Sequence, residues 1–489
     1  SKTAIVIGSG FAGLSAASFL AKEGWSVTVI EKNDTPGGRA RQLKEQGFSF
    51  DMGPSFYWMP DVFERYFSQF GKKVSDYYTL HRLDPSYRIY WNDDFTDVPA
   101  GFNELKKIAE RIEPGSAAKL EAYLKEAAYK YNVGINKLVY KPGQSLTEFM
   151  DWQTISGIFK LDVFTSIQKH IRKYFKHPKL QQLMEFPVLF LGALPKDTPA
   201  LYSLMNYADI KGGTWYPEGG MYAVVQGMYS LAKELGVNFC FSEQVEEMIT
   251  EGSLIRKVIT DKHIYQADVV VSGADYQFTE KKLLTKKHRN YSDSYWEKRV
   301  MAPSCLIYYV GLNKKLRQAT HHSLFFDVPF EQHGIEIYKT QQWPTEPLFY
   351  VSVSSVTDDA TAPPGCENLV FLIPVASGLT GDTAELREMY FEKIVRRMEK
   401  HIGESIADAV VYKKTYSVSD FVYDYNSYKG NAYGLANTLR QTAIFRPSCR
   451  NRKLRNLFYT GQLTVPGPGV PPSLISGEVV AKQVIKAIG

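Results

Sequence analysis

Residues 3–33, "TAIVIGSGFAGLSAASFLAKEGWSVTVIEKN", decide the fold class. Thr3 to Ile7 is a short, continuously apolar run, the pattern of a parallel strand buried on both faces. It leads into Gly8-Ser9-Gly10-Phe11-Ala12-Gly13, the G-x-G-x-x-G spacing. Gly8 permits the tight turn, Gly10 lets a pyrophosphate approach the backbone, and Gly13 lets the following helix pack close on the strand. That helix, roughly Phe11 to Glu23, is rich in Ala and Ser, and its N-terminal N–H groups and dipole attract phosphate. Gly24 caps it, and Ser26 to Ile30 forms a second strand. Glu31 ends that strand eighteen positions after Gly13, where a carboxylate binds the ribose hydroxyls. A carboxylate there repels a 2′-phosphate, which disfavours NADP and leaves FAD and NAD.

The next residues choose between them. Gly37-Gly38-Arg39 stands just beyond the second strand, where an NAD domain simply begins its next helix. A glycine pair frees backbone for a further ligand contact, and Arg39 is able to pair with a phosphate. "FSFDMGPSFY" then alternates Phe48, Phe50 and Met52 before the rigid Gly53-Pro54, a strand that turns sharply against something flat. At the far end, "NLFYTGQLTVPGPGVPPSLISGEVVAKQVIKAI" is another strand–glycine loop–helix unit. Leu457 to Thr460 is its strand, Gly461 opens the loop, and Ser473 to Ile488 is the expected helix. A helix N-terminus supplied from the C-terminal end is able to face a flavin pyrimidine ring and stabilise negative charge there.

Both ends of the chain carry a family resemblance. "GSGFAGLSAA", "EKNDTPGGRA", "FDMGPS" and "GQLTVPGPGVPPSLISG" resemble the bacterial-type phytoene desaturases, FAD-dependent carotenoid dehydrogenases related to the amine oxidases. The central "FLGALPKDTPALYSLMNYADIKGGTWYPEGGMYAVVQGM" resembles that family too, so the likeness covers essentially the whole chain. In the closing motif Gly461, Thr464, Pro466, Gly467, Gly469, Val470, Pro471, Ser476 and Gly477 match, whereas Gln462 and Leu463 stand where small residues are common. The resemblance implies that Val245 contacts the adenine through its backbone and that the strand Ala267 to Asp275 closes the FAD domain. The residues expected to hold FAD are Gly8, Ser9, Gly10, Phe11, Ala12, Gly13, Glu31, Lys32, Gly38, Arg39, Gly53, Pro54, Ser55, Val245, Gly461, Gly469, Val470 and Pro471.

The expected fold is α/β: a discontinuous Rossmann-type FAD-binding domain, a mixed-sheet substrate domain, and a helical lid or membrane-docking subdomain. The FAD domain takes residues 1–75, 215–281 and 447–489, the helical subdomain 103–205, and the substrate domain 76–102 and 282–446. Residues from Asn103 to Leu201 read mostly helical, broken at Pro114-Gly115 and Pro142-Gly143. Within them Phe164, Ile167, Ile171, Tyr174 and Phe175 recur at helical spacing, with Lys169, Arg172, Lys173 and Lys176 largely opposite. Such a basic amphipathic helix is able to lie in a membrane interface, and it is equally compatible with an ordinary core-packed helix. A bilayer-dwelling polyene substrate favours the first reading. Further on, "CLIYYVGL", "LFYVSVSS" and "NLVFLIPV" read as alternating apolar strands of a second, mixed sheet able to wall a substrate channel.

Bulk properties agree. The chain has 489 residues, 44% apolar and 22% charged, which describes a folded protein of two or three domains. A net charge of +6 is too mild to suggest nucleic acid. Four scattered cysteines form no CxxC pair, which points to a reducing compartment without structural zinc or disulfides. His321, His322 and His333 lack a carboxylate at ligand spacing and read as loop histidines, so no metal is expected. With no signal-peptide pattern before Thr3 and no long apolar run, the expected location is cytoplasmic, peripheral on the inner face of the membrane.

The implied reaction removes a hydride and a proton from adjacent carbons of a linear polyene, with flavin N5 as hydride acceptor and oxygen or a quinone as the final electron acceptor. The protein's share is to hold one C–C bond over the ring within ~3.5 Å. The family includes desaturases of phytoene and 3,4-desaturases of 1-hydroxylated carotenoids. Glu218 and Asp151 qualify as a proton acceptor by residue type alone, so the catalytic group is left as the flavin itself. Two other classes compete. A flavin amine oxidase often has a cysteine near its C-terminus, but none follows Cys449 here. A Rab-escort-like protein binds prenyl groups without flavin, against which stand the phosphate-binding motifs at both ends.

Overall fold

A computed structural model describes residues 1–149, 156 and 163–489. Its first sheet has five strands, all parallel, in the order Leu457–Tyr459, Val269–Ser272, Thr3–Ile7, Ser26–Ile30, Asn238–Cys240. The opening strand lies in the middle, with Ala4 beside Val269 and Thr3 beside Ser26. Its period-two alternation divides two cores. Ala4 and Val6 join one formed with the helices Phe11–Lys22, Met221–Glu234 and Val470–Ile488, whereas Ile5 and Ile7 join Val245, Met248, Ile255 and Val258. The last four belong to a small antiparallel sheet of Val245–Glu251, Leu254–Thr260 and Ile264–Tyr265.

Small residues bring the two ends of the chain together. A Cβ on Gly477 would lie 2.5 Å from Ala12 O and from Ser15 Cβ, so glycine is required where the closing helix crosses the opening one. Ser15 Oγ donates to Leu474 O at 2.7 Å across that crossing. The closing helix begins at Val470, three residues before the expected Ser473, because Pro471 and Pro472 fit a first turn whose N–H groups need no internal partner.

The second sheet is mixed and seven-stranded: Val410–Tyr416, Ser304–Leu312, Glu367–Val375, Phe349–Ser352, His322–Phe325, Tyr87–Tyr90 and Phe95–Val98. Its central strands do not alternate between core and solvent as their sequences suggested. Ser304–Leu312 is buried throughout. Leu306, Tyr308 and Val310 pack under the helix Ala384–Ile402, while Cys305, Ile307 and Tyr309 pack with Phe48, Phe50 and Met52. His322 lies in a strand and His333 in the helix Phe330–Tyr338, both buried, which corrects their reading as loop histidines. His333 is structural: it accepts from Leu348 N–H and donates to Pro374 O.

Helices Phe102–Ile112, Ser116–Val133, Ile167–Tyr174 and Pro178–Leu191 pack over one side of this sheet. Here the apolar face of the basic helix turns out to be covered by protein. Ile167, Ile171 and Phe175 are fully buried in the core that also holds Leu120, Tyr123 and Leu124. These three side chains are spent on the protein's own close-packed core and are not free to enter a bilayer. Of the apolar residues expected on that face, only Phe164 is exposed, at 81%. Among the described residues no helix is long and apolar enough to cross a membrane.

Candidate functional site

The G-x-G-x-x-G turn is held from below by Glu31. This carboxylate is buried and accepts from Ser9 N–H at 3.0 Å, Ser9 Oγ at 2.6 Å and Asn33 N–H at 2.9 Å. A carboxylate offers about four lone-pair directions, so a position remains for a ribose hydroxyl. Gly8 has φ +92°, and a Cβ on Gly13 would meet Gly8 O at 2.1 Å, which makes glycine obligatory there. Gly10 caps the opening helix with no side chain over its free N–H groups, so Phe11 and Ala12 begin a helix whose positive end is open. Gly37-Gly38 lies directly against this turn: Gly37 N–H donates to Ser9 O at 2.8 Å, and Gly38 approaches Gly10 closely.

Arg39 follows and is half-buried. Its Nη2 donates to Asn431 O at 3.0 Å and to Ser427 Oγ at 3.2 Å, and its guanidinium stands over the Tyr425 ring. Its Nε has no hydrogen-bond partner. Burial lowers its pKa, and the nearby Asp275 carboxylate opposes that shift. Asp275 is itself raised by burial and is held by Tyr428 N–H, Phe278 N–H and Asn431 Nδ2. A half-buried cation with a buried, unmet Nε donor beside an open helix end is a fit for a bound anion such as a pyrophosphate. Arg39→Met is therefore expected to weaken FAD binding by tenfold to a hundredfold, the worth of one charged hydrogen bond of about 1.5–3 kcal/mol. Titration of flavin-stripped protein with FAD reads this directly, and unchanged affinity would remove Arg39 from the site.

Gly53 sits behind Arg39, where a Cβ would meet Arg39 O at 2.6 Å. Pro54 and Ser55 continue the turn, and Tyr309 OH fixes it by donating to Met52 O at 2.7 Å. Val245 is near the nucleotide end of the opening unit: Glu243 N–H donates to Glu31 O, and Ser242 N–H to Asn33 O. Lys32 directs its ammonium to Tyr423 O and stands over the Tyr423 ring. On the closing side, Gly461 has φ +117° with no atom within 4 Å of an added Cβ, an open cradle. Gly469, at φ +113°, caps the closing helix; Val470 supplies its first N–H, while Pro471 contributes none. Glu218 is exposed beside His81, which does not suit a proton acceptor in a dry channel. Asp151 lies outside the described residues.

Three further residues organise the site, and sequence reading assigned none of them a role. Asp51, between Phe50 and Met52, accepts from Met221 and Tyr222 N–H and so ties the Gly53 turn to the helix Met221–Glu234; burial raises its pKa to about 6. The adjacent Gly219-Gly220 pair is the sequence signal that could have found it, since a Cβ on Gly220 would strike the Asp51 carboxylate at 2.7 Å. Asn431 joins Arg39 to Asp275. Arg446 is buried and donates to Thr464 O at 2.7 Å, Gln462 O at 2.6 Å, Gln441 O at 3.2 Å and Asn437 Oδ1 at 3.1 Å. Burial pushes its pKa down to about 10. It fixes the closing loop from beneath, and nothing in its neighbouring sequence announces it.

Comparison with known proteins places this geometry. The model of the flavin-containing amine oxidoreductase family matches residues 11–485. The chain is 42% identical over 487 residues to a carotenoid 3,4-desaturase of Haloarcula japonica, covering 99% of this chain and 98% of that one. It is 31% identical to a zeta-carotene-forming phytoene desaturase of Myxococcus xanthus, covering 98% and 93%. An oxidoreductase of known structure from Methanosarcina mazei shares the fold with a TM-score of 0.65 at 16% identity, covering 98% of this chain and all of that one. With relatives this similar along nearly its full length, the chain belongs to the flavin-containing amine oxidoreductases, and within them to the carotenoid desaturases, with FAD as its cofactor.

Proposed function

We propose that this protein desaturates a linear carotenoid, removing a hydride and a proton from adjacent carbons. Full-length similarity to a carotenoid 3,4-desaturase carries the reading. FAD, when bound, supplies the hydride acceptor. Gly8 to Gly13, Gly38 and Arg39 bind its pyrophosphate, Glu31 its ribose, and the Gly461 cradle with the Gly469–Pro471 helix end approaches from the other terminus. Lys32, Val245, Gly53, Pro54 and Ser55 complete the surroundings.

The protein's other task is to hold a long, unfunctionalised chain and exclude water. A row of aromatic rings starts at Phe56, directly after Ser55. Phe56 lies 5.2 Å from Trp58, 5.3 Å from Tyr350 and 4.2 Å from the stacked His322 ring. Trp58 and Tyr87 then meet Phe186, at 6.5 and 5.4 Å. Ring faces of this kind suit a polyene and favour positive charge developing next to a double bond. Expression in cells that accumulate phytoene or a 1-hydroxylated carotene tests the reaction. A red-shifted pigment is the expected result, and an unchanged pigment from flavin-loaded protein overturns it. Oxygen or a quinone takes the electrons onward.

The protein reaches its substrate from a membrane surface. Exposed Phe164 supports this, next in sequence to the exposed Lys169, Arg172, Lys173 and Lys176. Phe164→Ser is expected to reduce sedimentation with anionic vesicles several-fold and to leave thermal stability within ~0.5 kcal/mol. Ile171→Ala, by contrast, is expected to cost ~2–5 kcal/mol of stability, because its side chain serves the core. Equal vesicle binding by the Phe164 variant and the unaltered protein would reject this contact.

A further inference from the structure

A cavity of about 260 Å³ opens at the surface between the helices Ile167–Tyr174, Pro178–Leu191 and Phe330–Tyr338. That is just under the ~300–1,000 Å³ of ordinary small-molecule sites, so its occupant is small. Glu185 lines it and is 4% exposed, yet its Oε1 has no hydrogen-bond partner. Arg172 Nε stands 3.9 Å away, beyond hydrogen-bond reach. Gln182 lines it too, and its buried Oε1 is likewise without a partner. Three positions apart on one helix, the two side chains are neighbours. Buried acceptors are rarely left unmet, and two at one cavity ask for a shared donor. Burial pushes the Glu185 carboxyl up to about 7, with Arg172 opposing the shift and Glu331 adding to it. A cation against the carboxylate keeps it charged at this depth.

Charge is graded with depth. The mouth carries Arg172, its side chain 49% exposed, and the exposed Lys196, against the exposed Glu331. Exposed Lys169 and Lys173 neighbour Arg172 on its helix and add to the positive rim. The helix Phe330–Tyr338 starts at the cavity with no side chain capping its first N–H groups, a further positive element. A ligand matching this order enters with a hydrogen-bond-donating cation first and leaves its anion at the mouth. Phosphoethanolamine has that build, with an ammonium rich in N–H donors at one end and a phosphate at the other. An α-amino acid, whose two charges share one carbon, does not span the depth.

We propose that this cavity binds a phosphoethanolamine group, its ammonium donating to Glu185 and Gln182 and its phosphate held by Arg172 and Lys196. The group arrives as the headgroup of an aminophospholipid or as the free phosphoester. The first source rests on the membrane contact proposed above; the second does not.

Two ligand pairs test the site on flavin-loaded protein, each pair differing only in the ammonium. A trimethylammonium has the charge but no N–H, so it leaves both acceptors unmet. Free phosphoethanolamine is expected to bind about tenfold or more tightly than phosphocholine in calorimetric titration, the effect of one charged hydrogen bond. Vesicles of equal anionic lipid content are expected to retain several-fold more protein with phosphatidylethanolamine than with phosphatidylcholine. Equal retention with the soluble preference intact assigns the free phosphoester as the source. Glu185→Leu is expected to abolish the preference in both pairs without lowering the thermal midpoint, because it removes a buried acceptor that no protein donor serves. Gln182→Leu, read in the same way, serves if Glu185→Leu does not fold. No preference in either pair, or a preference that survives both substitutions, overturns the site. Retention on neither kind of vesicle rejects the membrane contact, and the soluble pair then decides the site by itself.

Discussion

Protein carrying Glu31→Arg is expected to purify almost free of flavin. Beyond the ribose contact proposed for Glu31, three donors from Ser9 and Asn33 converge on it. Arginine supplies no acceptor, so all three are left unmet beside a new buried cation. Breaking a buried charged network of this kind costs about 3–5 kcal/mol, which corresponds to roughly two to four orders of magnitude in affinity when the network forms the binding loop. Glu31→Gln keeps one acceptor oxygen and is expected to lose roughly tenfold, the effect of one charged hydrogen bond. The ratio of visible flavin absorbance to protein absorbance reads both. Full occupancy in the arginine variant would refute the assignment of this turn to the nucleotide.

Arg446→Met should have an effect nearly as large at the opposite end of the chain. The side chain serves the carbonyls of Leu435, Gln441, Gln462 and Thr464, of which Gln462 O also accepts from Leu435 N–H. Methionine fills similar space without a donor, so each buried carbonyl left without a partner bears a desolvation penalty of about 1–3 kcal/mol. The expected outcome is a closing loop that no longer holds its shape, with FAD retention reduced tenfold or more and a lower thermal midpoint that excess FAD partly restores. Arg446→Lys should resemble Met more than Arg, because an ammonium lacks the planar fork that reaches several carbonyls at once. Undiminished flavin content in Arg446→Met would show that the loop is ordered by other contacts.

The opening βαβ unit was legible because its constraints are local. Gly8, Gly10 and Gly13 serve turns and contacts within a few residues of themselves, and Glu31 reaches back to Ser9 in the adjacent turn. The closing unit was recognisable in kind, though its helix starts at Val470, since a first turn tolerates the two prolines that sequence reading treats as a break. Legibility ended where one segment's environment is made by another far away. Asn431 meets Arg39 across 392 positions, and the pairing has no spacing rule to betray it.

The basic helix and the sheet strands show the same boundary. Apolar spacing in Ile167–Tyr174 and Ser304–Leu312 told which side chains are greasy and at what angle they leave the backbone. It did not tell what covers them. Packing supplied the answer: protein core over Ile167, Ile171 and Phe175, and helix on one face with Phe48 and Phe50 on the other for the strand. Amino-acid order was thus sufficient for the opening glycine turn and the acid that ends the second strand beside it. Assembly in three dimensions settled which apolar faces are spent on the core and where Arg39 and Arg446 come to rest, each donating to backbone carbonyls far along the chain or in the closing loop, because burial and long-range polar contacts depend on neighbours that no local pattern encodes.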